Sequence, residues 1–248
     1  MAGERAALIG PLASAGRADE ITVRIAEAIQ LGLFSDGEQL PPEAKFAQEL
    51  GVSPVTLREA FANLRERGLV ETRRGRRGGT FIKRSLEPDE KPDMIKLGQL
   101  AVTSLRDIAD EQAAITGVAA QRAAERATPS GVRRILDLVD QLAAAGTRGQ
   151  RIKADVRFHV EVAIATRSER LTRREVVLQA ETVGMLWGSH LLEPEVEQIV
   201  REHHDIATAI AEEDGDRARD FAERHVRRNL RRLTAGHLML VDRSGGTP

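Results

Sequence analysis

Apolar side chains in the first third of the chain fall on helical spacings and then on a short alternation. Ile21, Ile25, Ile29 and Leu33 recur every fourth residue and predict an amphipathic helix. LPPEAKFAQELGV, from Leu40, reads as a shorter helix closed by Gly51. Ser53 then stands where an N-cap belongs and Pro54 at the first helical position, where the missing N–H costs nothing. From there Leu57, Ala60, Phe61 and Leu64 mark one packed face, while Thr56, Arg58, Glu59, Arg65 and Glu66 point elsewhere. Gly68 suits the left-handed residue that ends a helix, Leu69 and Val70 open a short strand, and Thr80, Phe81 and Ile82 return it. Three helices and a hairpin from about Asp19 to Lys83 outline a winged helix-turn-helix.

Beyond a proline-broken charged stretch, LEPDEKPD from Leu86 to Asp93, the pattern changes to helical stripes alone, for example Val132, Ile135, Leu136, Val139 and Leu142. Expected helices are Leu97–Ala127 with a break near Gly117, Ser130–Ala144, Gln150–Ala165, Arg170–Leu191, Pro194–Glu213 and Arg217–Leu240. The fold class is therefore mainly α. The expected parts are a tail (1–18), the winged domain (19–84), a linker (85–96), an all-α bundle (97–241) and a second tail (242–248). Two domains also suit 248 residues.

Charge changes the picture locally. The net charge of −1 conceals a stretch, Arg58 to Arg84, with nine Lys/Arg against Glu59, Glu66 and Glu71. Arg73, Arg74, Arg76 and Arg77 surround Gly75 at the hairpin tip, with Gly78 and Gly79 after them. Such a tip suits phosphate attraction, because each neutralised phosphate releases counterions. Double-stranded DNA is the expected partner, with Lys45, Ser53, Thr56, Arg58, Arg73, Arg74, Arg76, Arg77 and Gly78 as contact candidates. Apolar contact of Pro54 or Val55 with a thymine methyl is a further means of base reading. The absence of cysteine removes disulfides, thiolate metal sites and cysteine nucleophiles. Ala6–Ile9 is cut short by Gly10 and Pro11, so no signal-peptide core forms, and no apolar run reaches a membrane span. A cytoplasmic protein with a loose N-terminal tail is expected.

In the bundle, Asp155 and His159 lie four residues apart, which places a carboxylate and an imidazole on one helix face. His203 and His204 follow on a later helix, and a line through Ala218, Ala222, His225 and Asn229 turns His225 inward. One oxygen and three nitrogens without sulfur make a site for one divalent ion, Zn²⁺, Ni²⁺ or Mn²⁺. Ligation needs neutral imidazoles, so affinity is expected to fall below pH ~6.5. An open site of this kind also admits a helical metal-dependent hydrolase, with Glu161 or Glu202 as base, although both sit on faces that look exposed and no nucleophile or phosphate loop accompanies them. A third reading is an architectural DNA binder whose bundle is structural.

The motifs also carry a resemblance. LPPE (Leu40–Glu43), LGVS (Leu50–Ser53), LREA (Leu57–Ala60), L-x-x-x-GLV (Leu64–Val70) and the glycine-rich wing resemble the GntR superfamily of bacterial transcription regulators, FadR type. Of the family's usual reading arginines Arg58 is retained, while Pro54 and Ala44 occupy the other two places. The second domain resembles the FCD effector domain, through D-x-x-F-H at Asp155–His159, H-x-x-I at His203–Ile206, and His225. The resemblance selects His203 rather than His204 as ligand. It implies a homodimer on an inverted-repeat operator, most often a repressor, released by a small carboxylate effector at the metal. Ser168 replaces the usual asparagine, and Arg106 is the candidate for an effector-anchoring arginine on the first bundle helix. The expected function is a ligand-responsive regulator and not an enzyme.

Overall fold

The structure, a computed structural model, describes residues 17–30, 32–34, 37–75, 78–83, 90–189 and 193–245. The chain divides into two compact units on either side of Pro88 and Asp89.

The first unit holds α1 (Arg17–Gln30), α2 (Glu43–Leu50), α3 (Pro54–Glu66), β1 (Val70–Arg73) and β2 (Gly79–Ile82). The expected stripe of Ile21, Ile25, Ile29 and Leu33 is buried, together with Phe46, Leu50, Leu57, Phe61 and Leu64. Phe46 and Phe61 set their rings 6.2 Å apart between α2 and α3. Ser53 caps α3 by accepting from the Thr56 N–H at 3.1 Å, and Gly68 ends the helix with φ 70°. β1 and β2 pair antiparallel from Val70↔Ile82 to Arg73↔Gly79, and Gln39 adds a bridge to Phe81.

The second unit is helical throughout: α4 (Lys91–Gln99), α5 (Val102–Arg126), α6 (Pro129–Ala143), α7 (Arg148–Ala165), α8 (Glu169–Leu186), α9 (Glu193–Ala211) and α10 (Gly215–Gly245). Its core joins Ala120, Ala123 and Ala124 of α5 to Ile135 and Val139 of α6, Phe158 and Val162 of α7, Ile206 and Ile210 of α9, and Ala218 and Ala222 of α10. Alanines on both α5 and α10 let these long helices approach closely. A reciprocal capping box of Thr147 and Gln150 starts α7, and Thr128 and Ser168 cap α6 and α8.

Two expectations change. The segment expected as linker, 85–96, contains the first turns of α4, tied down by buried Leu97, by Arg148 on Asp93 at 2.7 Å and by Lys96 on the Glu181 carbonyl. The expected break near Gly117 is absent. It falls instead at Leu100, where the backbone is extended between α4 and α5. Gly117 lies inside an unbroken helix because α10 crosses there: a β-carbon at this position would stand 2.9 Å from Glu223 Cγ. Among the described residues no helix is long and apolar enough to cross a membrane.

Candidate functional site

In the second unit α7, α9 and α10 bring His159, His203 and His225 together. One ring nitrogen of each lies within 4.8 Å of the others, and all three side chains are buried. Asp155, one turn before His159, sets Oδ1 3.6 Å from His159 Nε2 and 3.3 Å from His203 Nε2. Asp155, His159, His225 and the His203 that the resemblance selects thus converge, while His204 is exposed on α9.

The donor set fits a divalent ion on an observation independent of sequence pattern. Asp155 Oδ1 and both ring nitrogens of His203 are buried without a hydrogen-bond partner among the described residues. Leaving such groups unsatisfied is costly, and a cation beside them removes the cost. Burial pushes His159 and His203 well below the ordinary imidazole range. Both rings are therefore held neutral, as ligation requires, and proton competition at these two begins at lower pH than the ~6.5 of a free imidazole. Burial raises the Asp155 carboxyl, against the hydrogen bond from Trp187 and the nearby positive charges.

A supporting layer fixes each ligand. Trp187, the C-cap of α8, donates its indole N–H to Asp155 Oδ2 at 2.8 Å, leaving Oδ1 to face the histidines. Phe158 stacks on His203 with ring centres 4.0 Å apart and meets His159 edge-on. His225 donates from Nδ1 to Glu202 Oε2 at 2.8 Å, which makes Nε2 the lone-pair nitrogen. Asn229 Nδ2 donates to that Nε2 at 3.0 Å, a bond that ligation of an ion by His225 would replace. Glu202 also pairs with Arg228, and Arg232 lies 3.7 Å away. Burial works to raise the Glu202 carboxyl, but His225 and Arg232 together outweigh it and hold it below the usual range.

These partners correct several expectations. Glu202, read as lying on an exposed face, is largely buried and serves His225. Glu161 is likewise covered and is bound by Arg134. Arg106 is exposed and lines a groove with Val102, Leu230, Arg231, Thr234, Ala235 and Leu238, not the buried cluster. Phe158 had a signal, being inside the D-x-x-F-H string. Trp187 had none, since its partner is 32 residues away, and Glu202, offered only as a base, had none for its bond to His225, 23 residues away.

In the first unit α3 presents Val55, 68 % exposed, and Arg58, whose side chain is 61 % exposed and donates from Nε to Glu43 Oε2 at 3.1 Å. A surface pair of this kind contributes little and yields readily to a stronger anion. Ser53 is engaged as the cap and shares a hydrogen bond with the Thr56 hydroxyl, which leaves it one further hydrogen bond to offer. Lys45 is exposed, 3.7 Å from Glu49. On the hairpin Arg73 pairs with Glu71 and lies over the Phe81 ring at 4.3 Å, and Arg74 is exposed. Arg76 and Arg77 lie outside the described residues. The turn needs glycine at 78: its N–H donates to Gly75 O at 2.8 Å, and a β-carbon would meet Arg73 O at 2.5 Å.

Comparison with known proteins places both units. Residues 17–82 match the family described as bacterial regulatory proteins, gntR family, and residues 107–228 match the FCD domain. The putative HTH-type transcriptional regulator RmpR of Mycobacterium gastri is 41 % identical over 226 residues, covering 90 % of this chain and 82 % of the relative. The putative L-lactate dehydrogenase operon regulatory protein of Escherichia coli strain K12 is 31 % identical over 216 residues, 84 % of this chain and 83 % of its own. The galactonate operon transcriptional repressor of the same strain is 26 % identical over 235 residues, 88 % and 96 % respectively.

Proposed function

The chain belongs to the gntR family of bacterial regulatory proteins and carries an FCD domain, and from that premise, a DNA-binding transcription regulator and not an enzyme, we propose that it is a dimeric repressor released by a small carboxylate. The single observation that carries the effector half of this reading is the buried cluster of His159, His203, His225 and Asp155, with three polar atoms that have no hydrogen-bond partner among the described residues. A purely structural bundle, as in an architectural DNA binder, gains nothing from that arrangement, because apolar side chains of similar volume would fill the space at less cost.

These four residues would hold a divalent ion, whose positive charge would favour a carboxylate oxygen. The chain's own groups prepare the place. Burial keeps His159 and His203 deprotonated, Glu202 fixes the His225 tautomer, and Trp187 turns Asp155 Oδ1 inward. In the cytoplasm, two winged units on one dimer would meet inverted half-sites. Effector binding in the bundle is linked to operator affinity by one coupling free energy, whichever site is filled first. The repressor sign is supported by one relative's description as a transcriptional repressor.

Selection of genomic fragments on the full-length protein should return an inverted-repeat site. Three- to six-carbon carboxylates titrated into the zinc-loaded complex should release that DNA from the wild type and not from His159→Ala or His225→Ala. No release by any acid, or equal release from the variants, would overturn the proposal.

A further inference from the structure

Nine consecutive residues of α10, Arg224 to Arg232, carry five arginines and no acid. Arg224, Arg228 and Arg231 recur at four- and three-residue spacing and share a helix face, with Arg227 beside them. Two adjoining clefts open there between α9 and α10. Arg224, Arg227, Arg228 and Arg231 line the first, of about 340 Å³; Arg201, Arg228, Arg231 and Arg232 line the second, of about 430 Å³. Six guanidinium groups thus meet three carboxylates in the linings, Glu195, Glu202 and Asp205, and Glu202 is already engaged by His225 and Arg228. Arg231, common to both clefts, has no ion pair or hydrogen bond among the described residues. The Arg232 side chain is 6 % exposed, donates to Asn229 Oδ1 and lies 3.7 Å from Glu202. Burial pulls its guanidinium below the ordinary range, with Glu202 opposing and the Arg228 charge adding to the pull. A buried cation beside another cation is costly until an anion joins them. Arg224 rests on Asp220 at 2.7 Å and Arg227 on Glu223 at 2.8 Å, surface pairs that contribute little and yield to a stronger anion.

We propose that the arginine-lined clefts between α9 and α10 form a second anion site, for a phosphoryl group carried by inorganic phosphate or by a small phosphorylated metabolite. It adjoins the histidine cluster, since His225 also lines the first cleft, but it needs no metal and does not rest on the metal reading. The chemistry of the lining selects the ligand. A phosphomonoester carries a charge of about −1.5 to −2 at neutral pH on three terminal oxygens. Guanidinium forks match those oxygens two at a time, so one phosphoryl group can engage Arg228, Arg231 and a neighbour together. A carboxylate, with two oxygens and a single charge, satisfies one fork and leaves the others facing each other. The concave shape and the volume of a few hundred Å³ suit a small molecule rather than a polymer backbone.

Calorimetry on chelator-stripped full-length protein tests this with inorganic phosphate, D-glucose 6-phosphate and, as the blank for the phosphoryl group, D-glucose. Both phosphates should bind saturably with a dissociation constant of about 1 mM or tighter, and glucose should not bind. Binding of the ester tighter than that of phosphate by about threefold or more identifies a phosphorylated metabolite as the source, and equal or weaker binding of the ester identifies free phosphate. Arg231→Gln should weaken both about fivefold or more, the loss expected for hydrogen bonds to a charged group, while Arg219→Gln, on the same helix but outside both clefts, leaves them unchanged. Neither phosphate binding, equal losses in the two variants, or an Arg231→Gln protein that binds as the wild type does would overturn the site. Binding that appears only after zinc loading would place the anion on the metal and overturn it as well. So would an Arg231→Gln defect confined to a non-operator DNA duplex, which would assign the arginine face to a phosphate backbone.

Discussion

Glu175→Gln should make the second unit more stable above neutral pH and leave it little changed in mild acid. Burial lifts the Glu175 carboxyl from 4.5 to about 7, with the bonds from Gln179 and Thr116 opposing it. A carboxyl whose folded value exceeds its unfolded one favours the native state only while both are protonated. The benefit is complete below about 4.5, declines as pH rises, and is gone above about 7, where the wild type carries a buried charge or a neutral acid held against its tendency to ionise. At 1.36 kcal/mol per unit, a displacement of that size amounts to about 3 kcal/mol. Glutamine keeps the shape and the acceptor for Thr116 and Gln179 but never ionises, so the variant escapes the loss. Any cost of its own misplaced amide, about 1 kcal/mol, is the same at every pH. His159 and His203 destabilise the fold below their unfolded value in wild type and variant alike, and cancel in the difference. Thermal denaturation of chelator-stripped protein should therefore show the advantage of the variant growing by roughly 6–12 °C between pH 4.5 and 8, given about 2–4 °C per kcal/mol for a unit of this size. A difference flat across that range would refute the assignment of Glu175 as a strained buried acid.

Further outcomes concern the two sites. Arg58→Ala should weaken operator binding by about 1–3 kcal/mol and flatten base preference, as read by anisotropy titration against matched and mutated sites; unchanged affinity and preference would remove Arg58 as reader. Arg74→Ala should instead lower affinity for every sequence and reduce the salt slope by about one unit, so a slope equal to that of the wild type would exclude a phosphate contact. Gly78→Ala, which must displace Arg73 O or Gly75 O, should cost the first unit about 1–3 kcal/mol by urea denaturation and weaken DNA binding without touching metal content. Glu202→Gln should lower metal affinity by about ten- to a hundredfold while all four ligands remain, since it alters the acceptor that holds the His225 tautomer; an unchanged affinity would deny it that role.

Much of the architecture could be read directly because its determinants are local. The Ser53–Pro54 cap, the stripe of Leu57, Phe61 and Leu64, and Gly68 define α3 without reference to anything distant, and the four-residue spacing of Asp155 and His159 belongs to one helix. What failed to show had its cause elsewhere in the chain. Gly117 reads as a helix break in isolation, but it is a point of close contact with Glu223, more than a hundred residues later. Glu202 looked exposed by periodicity because the neighbour that covers it, His225, arrives from α10. Glu175 and Thr116 lie 59 residues apart and have no common motif. Arg106 has the expected place near the start of the bundle, yet its side chain lies on the exposed side of α5. Local patterns specify elements; the partners of a buried polar group are set by packing.

The most direct test of the account is titration of Zn²⁺ into chelator-stripped full-length protein, wild type beside His159→Ala, His203→Ala and His204→Ala. One ion per chain in the wild type and in His204→Ala, with binding lost in the other two, is the predicted result. No binding to the wild type, or binding retained in His203→Ala and lost in His204→Ala, would contradict it.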